Sequence, residues 1–315
     1  MKQFLTIDDL PDLNQAINQG LELKKDPYKF ESIGTHKTLG MLFFNPSLRT
    51  RLSTQKAAQH LGVKTMIMNF SNEAWALEFE DGTEMSGLRS EHIREAAAVV
   101  SQYCDVVAIR SFASLNDKKK DEQELVLKSF IKYASIPVIN MESATAHPLQ
   151  ALADAITLKE FNTKKRPKIV LTWAPHPKAL PHAVGNSFSR MVQQLDADFV
   201  ITQPEGYELN SEITGDVPCV YDQNEALEGA DFVYAKNWCS YSQYGKILRT
   251  DKEWMLTPEK MKLTQQAKFM HCLPIRRNIV ASDGVLNSPN TLVIQQANNR
   301  TFAVQLVLKT ILENG

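Results

Sequence analysis

Short apolar runs alternate with longer amphipathic stretches along most of the chain. Residues 38–44, 64–70, 105–110 and 136–140 are apolar runs of strand length, rich in Val, Ile, Phe and Met. Between and after them, apolar residues recur at helical spacing over 47–62, 91–103, 122–133 and 148–162. A polar stretch, 163–167, interrupts the pattern, which then restarts. Strands are predicted at 168–173, 198–202, 231–236, 268–271 and 291–294, with helices at 180–194, 224–227 and 297–313. Residues 7–24 are read as a surface helix with Asp8 and Asp9 near its start. Two segments stand apart. Residues 71–88 are polar and contain glycine, with one large aromatic, Trp75, and a loop of that length in a compact domain usually carries function or moves. Lys118–Lys120 is read as a solvated turn flanked by Asp117, Asp121 and Glu122. Strands alternating with helices at this spacing predict an α/β protein of two doubly wound parallel-sheet domains with a cleft between them. Ligands of such sheets bind beyond the carboxyl ends of the strands. Arg110, Trp173, Lys236 and His271 fall at or just past predicted strand ends.

A length of 315 residues suits two domains of ordinary size. A net charge of −1 gives no reason to expect nucleic acid or an anionic membrane as a partner. No apolar run has the length of a membrane span, and the first residues lack the apolar core of a signal peptide. The four cysteines, Cys104, Cys219, Cys239 and Cys272, are scattered and form no CxxC pair. That spacing argues against a zinc site or a disulfide framework and fits a reducing cytoplasm.

Candidate chemistry begins at Ser47-Leu48-Arg49-Thr50-Arg51. Asn45-Pro46 breaks the preceding strand, and Ser47 is a good N-cap for the next helix. A helix start offers unpaired N–H groups and the positive end of a dipole. Two hydroxyls and a two-pronged guanidinium beside it suit a phosphate. An ordinary capped helix with solvated arginines has the same pattern. The glycine-rich phosphate signatures GxxxxGK[ST] and GxGxxG are missing. Residues 271–277 also lack the glycine-rich loop a cysteine phosphatase needs. His147-Pro148-Leu149-Gln150 puts an imidazole and an amide on one side of a helix start. The imidazole could donate to a carbonyl oxygen while the amide oxygen accepts from an NH2. Simple capping is the alternative. His271-Cys272-Leu273-Pro274, followed by Arg276 and Arg277, sets a soft nucleophile beside two cations, or simply ends a strand on a buried cysteine. Asn299-Arg300 lies in the last predicted helix, where an arginine is usually a surface residue.

Taken together, in order and in separation, these four segments resemble the aspartate/ornithine carbamoyltransferase family over essentially the whole chain. The resemblance implies a carbamoyl-phosphate-binding domain, residues 1–147, with the helix 297–315 packing back on it. An acylornithine-binding domain would span 148–296. It further implies a homotrimer in which Trp75 reaches a neighbouring subunit's site. Ser47, Leu48, Arg49, Thr50, Trp75, Arg110, His147, Gln150, Cys272, Leu273 and Arg300 are then expected around carbamoyl phosphate, with Arg110, His147 and Cys272 catalytic. No metal or organic cofactor is implied. The resemblance also implies attack of a neutral amine on carbamoyl phosphate, with the departing phosphate as the expected proton acceptor.

Ordinary ornithine carbamoyltransferases hold the amino-acid head group with a Ser-Met-Gly motif, where this chain reads Ala235-Lys236-Asn237-Trp238-Cys239. The loop from Trp173 through His176 to Pro181 is proline-rich instead. Both features resemble the family members that act on N-acylated ornithine in arginine biosynthesis. By position, Glu142, His176, Lys236, Leu273, Arg276 and Ser90 are expected to meet the acylated substrate. The acetyl-specific type has a glutamate before Glu91-His92 and a lysine after Arg-Arg-Asn. Here Ser90 and Ile279-Val280 stand in those places. A glutamate would repel a succinyl carboxylate, whereas serine would not, so N-succinylornithine is the expected acceptor. Succinyl members carry a proline at position 90, and Ser90 departs from that. N-Acetylornithine, plain ornithine, another amine such as putrescine, or a non-catalytic anion-binding subunit are the alternatives. The same subgroup implies a knotted second domain, with 236–244 passing through the 174–182 loop.

Overall fold

A computed structural model describes residues 1–314 of the chain. The chain divides into two compact units. The first takes Met1–Ser114, Lys118–Leu149 and the chain from Arg300 on. The second takes Leu115–Asp117 and Gln150–Asn299. Among the described residues no helix is long and apolar enough to cross a membrane.

The first unit contains the strands β1 (Gln3–Phe4), β2 (Thr38–Phe43), β3 (Lys64–Asn69), β4 (Leu77–Glu78), β5 (Glu91–His92), β6 (Val106–Arg110) and β7 (Val138–Glu142). Its main sheet has the order β1-β7-β6-β2-β3, every pair parallel. β6 is buried throughout and β2 and β7 nearly so, as strands covered on both faces are, whereas the edge strand β3 alternates between exposed and half-buried. The chain leaves β2 toward β3 on one side and returns through β6 toward β7 on the other. The carboxyl ends of β2 and β6 therefore flank a switch point, with Phe43 in register with Arg110 and Arg110 with Glu142.

The second unit repeats the plan with β8 (Lys168–Trp173), β9 (Asp198–Thr202), β10 (Cys219–Val220), β11 (Phe232–Lys236) and β12 (Lys268–Met270), in the parallel order β10-β9-β8-β11-β12. Val170, Val233, Ala235, Phe269 and Val285 form the middle of one core layer. Its switch point lies between β8 and β11, where Trp173 is in register with Lys236. The chain after β11 is bonded to the loop after β8. Asn237 Nδ2 donates to the Ala174 carbonyl at 2.7 Å, and Cys239 N to the Leu180 carbonyl at 2.9 Å.

The predicted elements need several corrections. Residues 7–24 form a short 3-10 turn, Ile7–Asp9, and then the helix Leu13–Lys25. Pro11 separates them, and Asp12, not Asp8 or Asp9, caps the helix by accepting from Gln15 N. Glu91 and His92 pair with β4, so the following helix begins at Ile93. Lys118–Gln123 is a short helix rather than a turn. The helix expected over 122–133 is broken at Glu124, which is left-handed (φ 48°, ψ 47°), and resumes at Leu125–Tyr133. β7 lies two residues beyond the predicted 136–140. The predicted strand 291–294 does not form. Thr291 makes a single bridge to Phe269, and Val293–Glu313 is one helix, starting four residues before the predicted 297.

Candidate active site

β2 ends at Phe43, and Asn45-Pro46 turns the chain into the helix Arg49–His60. Leu48 is already helical, so Ser47 is the capping residue, its Oγ accepting from Thr50 N at 3.2 Å. The Ser47 and Thr50 hydroxyls can still donate to an anion while accepting. Thr50 is buried and accepts from Arg300 Nη2 at 2.8 Å. Arg300, 5% exposed on the closing helix, thereby sets its guanidinium against the same helix start. Arg49 is half-buried and Leu48 is exposed.

At the end of β6, Arg110 is buried and heavily engaged. Nη1 donates to the carbonyls of Asn45 (2.9 Å) and Pro46 (2.7 Å), and Nη2 meets Glu142 Oε2 at 3.1 Å. Its guanidinium lies 4.0 Å from the centroid of the Phe112 ring. Burial pulls the Arg110 pKa below its ordinary value, Glu142 opposes that, and Arg49 adds repulsion. Glu142, at the end of β7, has a second neighbour, with His147 Nε2 at 3.4 Å from the same Oε2. The structure thus groups Glu142 with Arg110 and His147 in the first unit. The turn between Glu142 and His147 is tied down by Glu124. Its Oε1 accepts from Ser143 Oγ (2.6 Å), Thr145 N (2.8 Å) and Thr145 Oγ1 (2.6 Å). Sequence reading missed Glu124, whose role depends on a break in the helix that the apolar spacing hides, and it missed Phe112.

Trp75 and Ser90 lie in the long polar segment of the first unit. Trp75 is 57% exposed, and its indole N–H donates to Glu91 Oε2 at 2.8 Å. Ser90 is exposed, with its backbone N–H on the Ala76 carbonyl at 3.3 Å.

The second unit carries the remaining residues. Gln150, in the first turn of the helix Pro148–Phe161, donates from Nε2 to Asp154 Oδ1 at 2.7 Å. His176, Lys236 and Arg276 gather at the carboxyl ends of β8, β11 and β12, with Lys236 the last residue of β11. Arg276 Nε donates to His176 Nε2 at 3.1 Å. That bond makes Nε2 the acceptor, so Nδ1 carries the proton and donates to the Lys178 carbonyl at 2.9 Å; the opposite assignment, with Lys178 N donating to Nδ1, does not hold at the same time. Burial pulls the His176 pKa down against that carbonyl, and the charges of Lys236, Arg276 and Lys178 lower it further, so the ring is neutral near pH 7. Lys236 is buried, with Nζ on the Asn237 carbonyl at 2.7 Å. Cys272 and Leu273 are half-buried, and Leu273 adopts a left-handed φ of 55°. Tyr234, fully buried, lies beside Asp154 and Cys272. Burial and these two acidic neighbours push its pKa well up, so it stays a phenol.

Comparison with known proteins gives the family. Residues 2–160 match the aspartate/ornithine carbamoyltransferase carbamoyl-P binding domain, and residues 182–311 match the Asp/Orn binding domain of the same family. An N-succinylornithine carbamoyltransferase of Bacteroides thetaiotaomicron is 49% identical over 99% of each chain. An N-acetylornithine carbamoyltransferase of Xanthomonas campestris is 36% identical over 99% of this chain and 98% of its own. Among solved structures, acetylornithine transcarbamylase complexed with acetylcitrulline superposes with a TM-score of 0.88, at 34% identity and 99% coverage of each chain. A point variant of N-acetyl-L-ornithine transcarbamylase, complexed with carbamyl phosphate and N-succinyl-L-norvaline, gives 0.89, at 35% identity and coverage of 99% of this chain and 100% of its own. The chain belongs to the aspartate/ornithine carbamoyltransferase family and is a carbamoyltransferase.

Proposed function

We propose that the protein transfers the carbamoyl group of carbamoyl phosphate to the δ-amine of N-succinyl-L-ornithine, giving N-succinyl-L-citrulline and phosphate in arginine biosynthesis in the cytoplasm. Residues 1–147, with 297–315, bind carbamoyl phosphate, and 148–296 bind the acylated ornithine. The division of the chain after Leu149 and before Arg300 supports that assignment. Phosphate is held by Ser47, the Leu48 backbone, Arg49 and Thr50, with Arg300 behind Thr50. Arg110 and His147 polarise the carbonyl, Gln150 accepts from the carbamoyl NH2, and the Cys272 and Leu273 carbonyls orient the attacking amine. An alkylammonium costs about 4–5 kcal/mol to deprotonate at pH 7. Orientation of the amine and fixed cations around the developing oxyanion offset that cost. The leaving phosphate takes the proton. Lys236 and Arg276 receive the acyl carboxylates, His176 holds Arg276 in place by accepting from its Nε, and Ser90 leaves room for a succinyl group. A threaded second unit belongs to this reading, supported by the bonds from Asn237 and Cys239 to the 174–182 loop.

The observation that carries the acceptor assignment is 49% identity, over 99% of each chain, to an enzyme named for N-succinylornithine. The test is citrulline-derivative formation from carbamoyl phosphate with ornithine, N-acetylornithine and N-succinylornithine side by side. A large preference for the succinyl compound is expected. Preference for the acetyl compound would show that Ser90 and Val280 do not decide specificity. Activity with ornithine alone would overturn the roles given to His176, Lys236 and Arg276.

A further inference from the structure

In the second unit Gln150 is joined to the turn at Cys272 and Leu273 through Asp154, Gln296 and His271, to none of which a step above assigns a part. Asp154 is fully buried on the helix Pro148–Phe161, one turn beyond Gln150. Its Oδ1 accepts from Gln150 Nε2 at 2.7 Å and from Gln296 Nε2 at 2.6 Å. Gln296, also fully buried, accepts at Oε1 from His271 N at 2.9 Å. The imidazole of His271 in turn accepts at Nδ1 from Leu273 N at 2.8 Å. Each bond fixes the direction of the next. An oxygen that only accepts must face the NH2 end of both amides. Gln150 therefore turns its oxygen away from Asp154, and Gln296 turns its oxygen toward the backbone that opens the His271-Cys272-Leu273-Pro274 turn. Acceptance at His271 Nδ1 puts the ring proton on Nε2.

We propose that Asp154 is a positioning residue: it sets the polarity of the Gln150 amide and, through Gln296 and His271, anchors the turn that carries Cys272 and Leu273. The consequence is chemical selectivity. An inverted Gln150 amide would face the carbamoyl NH2 donor to donor, whereas the native one meets it donor to acceptor. The same carboxylate would thus hold the group that recognises the carbamoyl nitrogen and the turn assigned to orienting the amine. This inference rests on the reading of Gln150 as the carbamoyl-NH2 acceptor, and the experiment separates the two.

The probe is the ratio of dissociation constants for acetyl phosphate and carbamoyl phosphate, since these differ only by methyl in place of NH2. One well-made hydrogen bond predicts that the full-length wild-type chain prefers carbamoyl phosphate by about tenfold. Gln150→Ala should bring the ratio near one. If it does not, Gln150 is not the acceptor and the site reading fails. Given that loss, Asp154→Asn should also lower the ratio, because an amide at 154 no longer dictates which end of Gln150 faces it. A ratio unchanged in Asp154→Asn, with Gln150→Ala defective, overturns the proposal and leaves the site reading intact. The exchanged pair Asp154→Asn with Gln150→Glu restores an acceptor facing the ligand, and the ratio should recover. A ratio that stays near one in a folded exchanged pair overturns the proposal, and this arm serves where the single Asp154→Asn variant does not fold. A residue that only filled space at 154 would shift thermal stability without moving the ratio or its recovery.

Discussion

Arg110 is held on three sides before any ligand arrives: by the carbonyls of Asn45 and Pro46, by Glu142, and by the Phe112 ring. A donor fixed in this way needs little reorganisation when charge develops on a carbonyl oxygen. Arg110→Ala should lower kcat/KM by about 10²- to 10³-fold. The midpoint of urea unfolding should also fall, because the Asn45 and Pro46 carbonyls and Glu142 lose their donor. Arg110→Lys keeps the charge without the planar fork, so it should recover part of the stability and little of the rate. Steady-state kinetics and urea titration of both variants check this, and unchanged turnover in Arg110→Ala would remove the residue from the site. Residues of this kind were legible in the sequence because residue type and place coincide: Ser47 before a helix, Arg110 on the last position of a strand, His147 before Pro148. Glu124 and Gln296 were not, since each acts on a segment distant in the chain. Asp154 left only a weak trace, an acceptor four residues beyond Gln150 on a helix.

At the level of elements, β2, β3, β6, β8, β9, β11 and β12 are legible to within a residue at either end, because central strands read as apolar runs, whereas the two-residue strands β1, β4, β5 and β10 are too short to leave a pattern. Helix ends were less so. Apolar spacing over 122–133 gives no sign that Glu124 is left-handed, and Val293 belongs to a helix although 291–294 reads as a strand. In both places contacts across the fold override local propensity. The polar segment 71–88 reads in the sequence as a loop that carries function or moves, and in the structure Asp81 fastens it to two helices. Its carboxylate takes Arg94 Nε and Nη2, both at 3.0 Å, and lies 3.7 Å from Lys132 Nζ and 3.3 Å from the Tyr133 hydroxyl. The Arg94 bonds lead in pulling its pKa down to about 2. A carboxyl whose pKa is depressed on folding holds its contribution above the unfolded value, near ~3.9, and loses it as pH falls through the folded one. Pepsin cleavage within 79–90 should therefore rise between pH 4 and about 2. Asp81→Asn should show the open loop already at pH 4, with no step below it. A step of the same size in the variant would mean that another group fastens the segment.

Seven exposed large apolar side chains of the first unit lie between positions 48 and 88, among them Leu48 (67%), Leu52 (57%), Met66 (54%), Trp75 (57%) and Leu88 (98%), while Tyr28, Val99, Tyr103 and Leu125 lie outside that span. Single exposed apolar residues need no explanation, but this run includes the segment proposed to hold phosphate and the loop that carries Ser90. We propose that a homotrimer covers it, with Trp75 completing a neighbouring subunit's site. Closed cyclic symmetry makes that a quantitative statement, because every subunit both lends its loop and receives one. Arg110→Ala and Trp75→Ala subunits are each inactive alone on this reading, for different reasons. Mixed in equal amounts and allowed to exchange, they form a complete site wherever a subunit with an intact Arg110 receives Trp75 from an Arg110→Ala neighbour. Random assembly meets both conditions at about one half each, so activity should return to roughly one quarter of wild type. A site built within one subunit would give no recovery at any mixing ratio. Native mass spectrometry of the mixture decides whether hybrid trimers formed. Hybrids without activity would end the proposal of shared sites while leaving the chemistry of each subunit as argued.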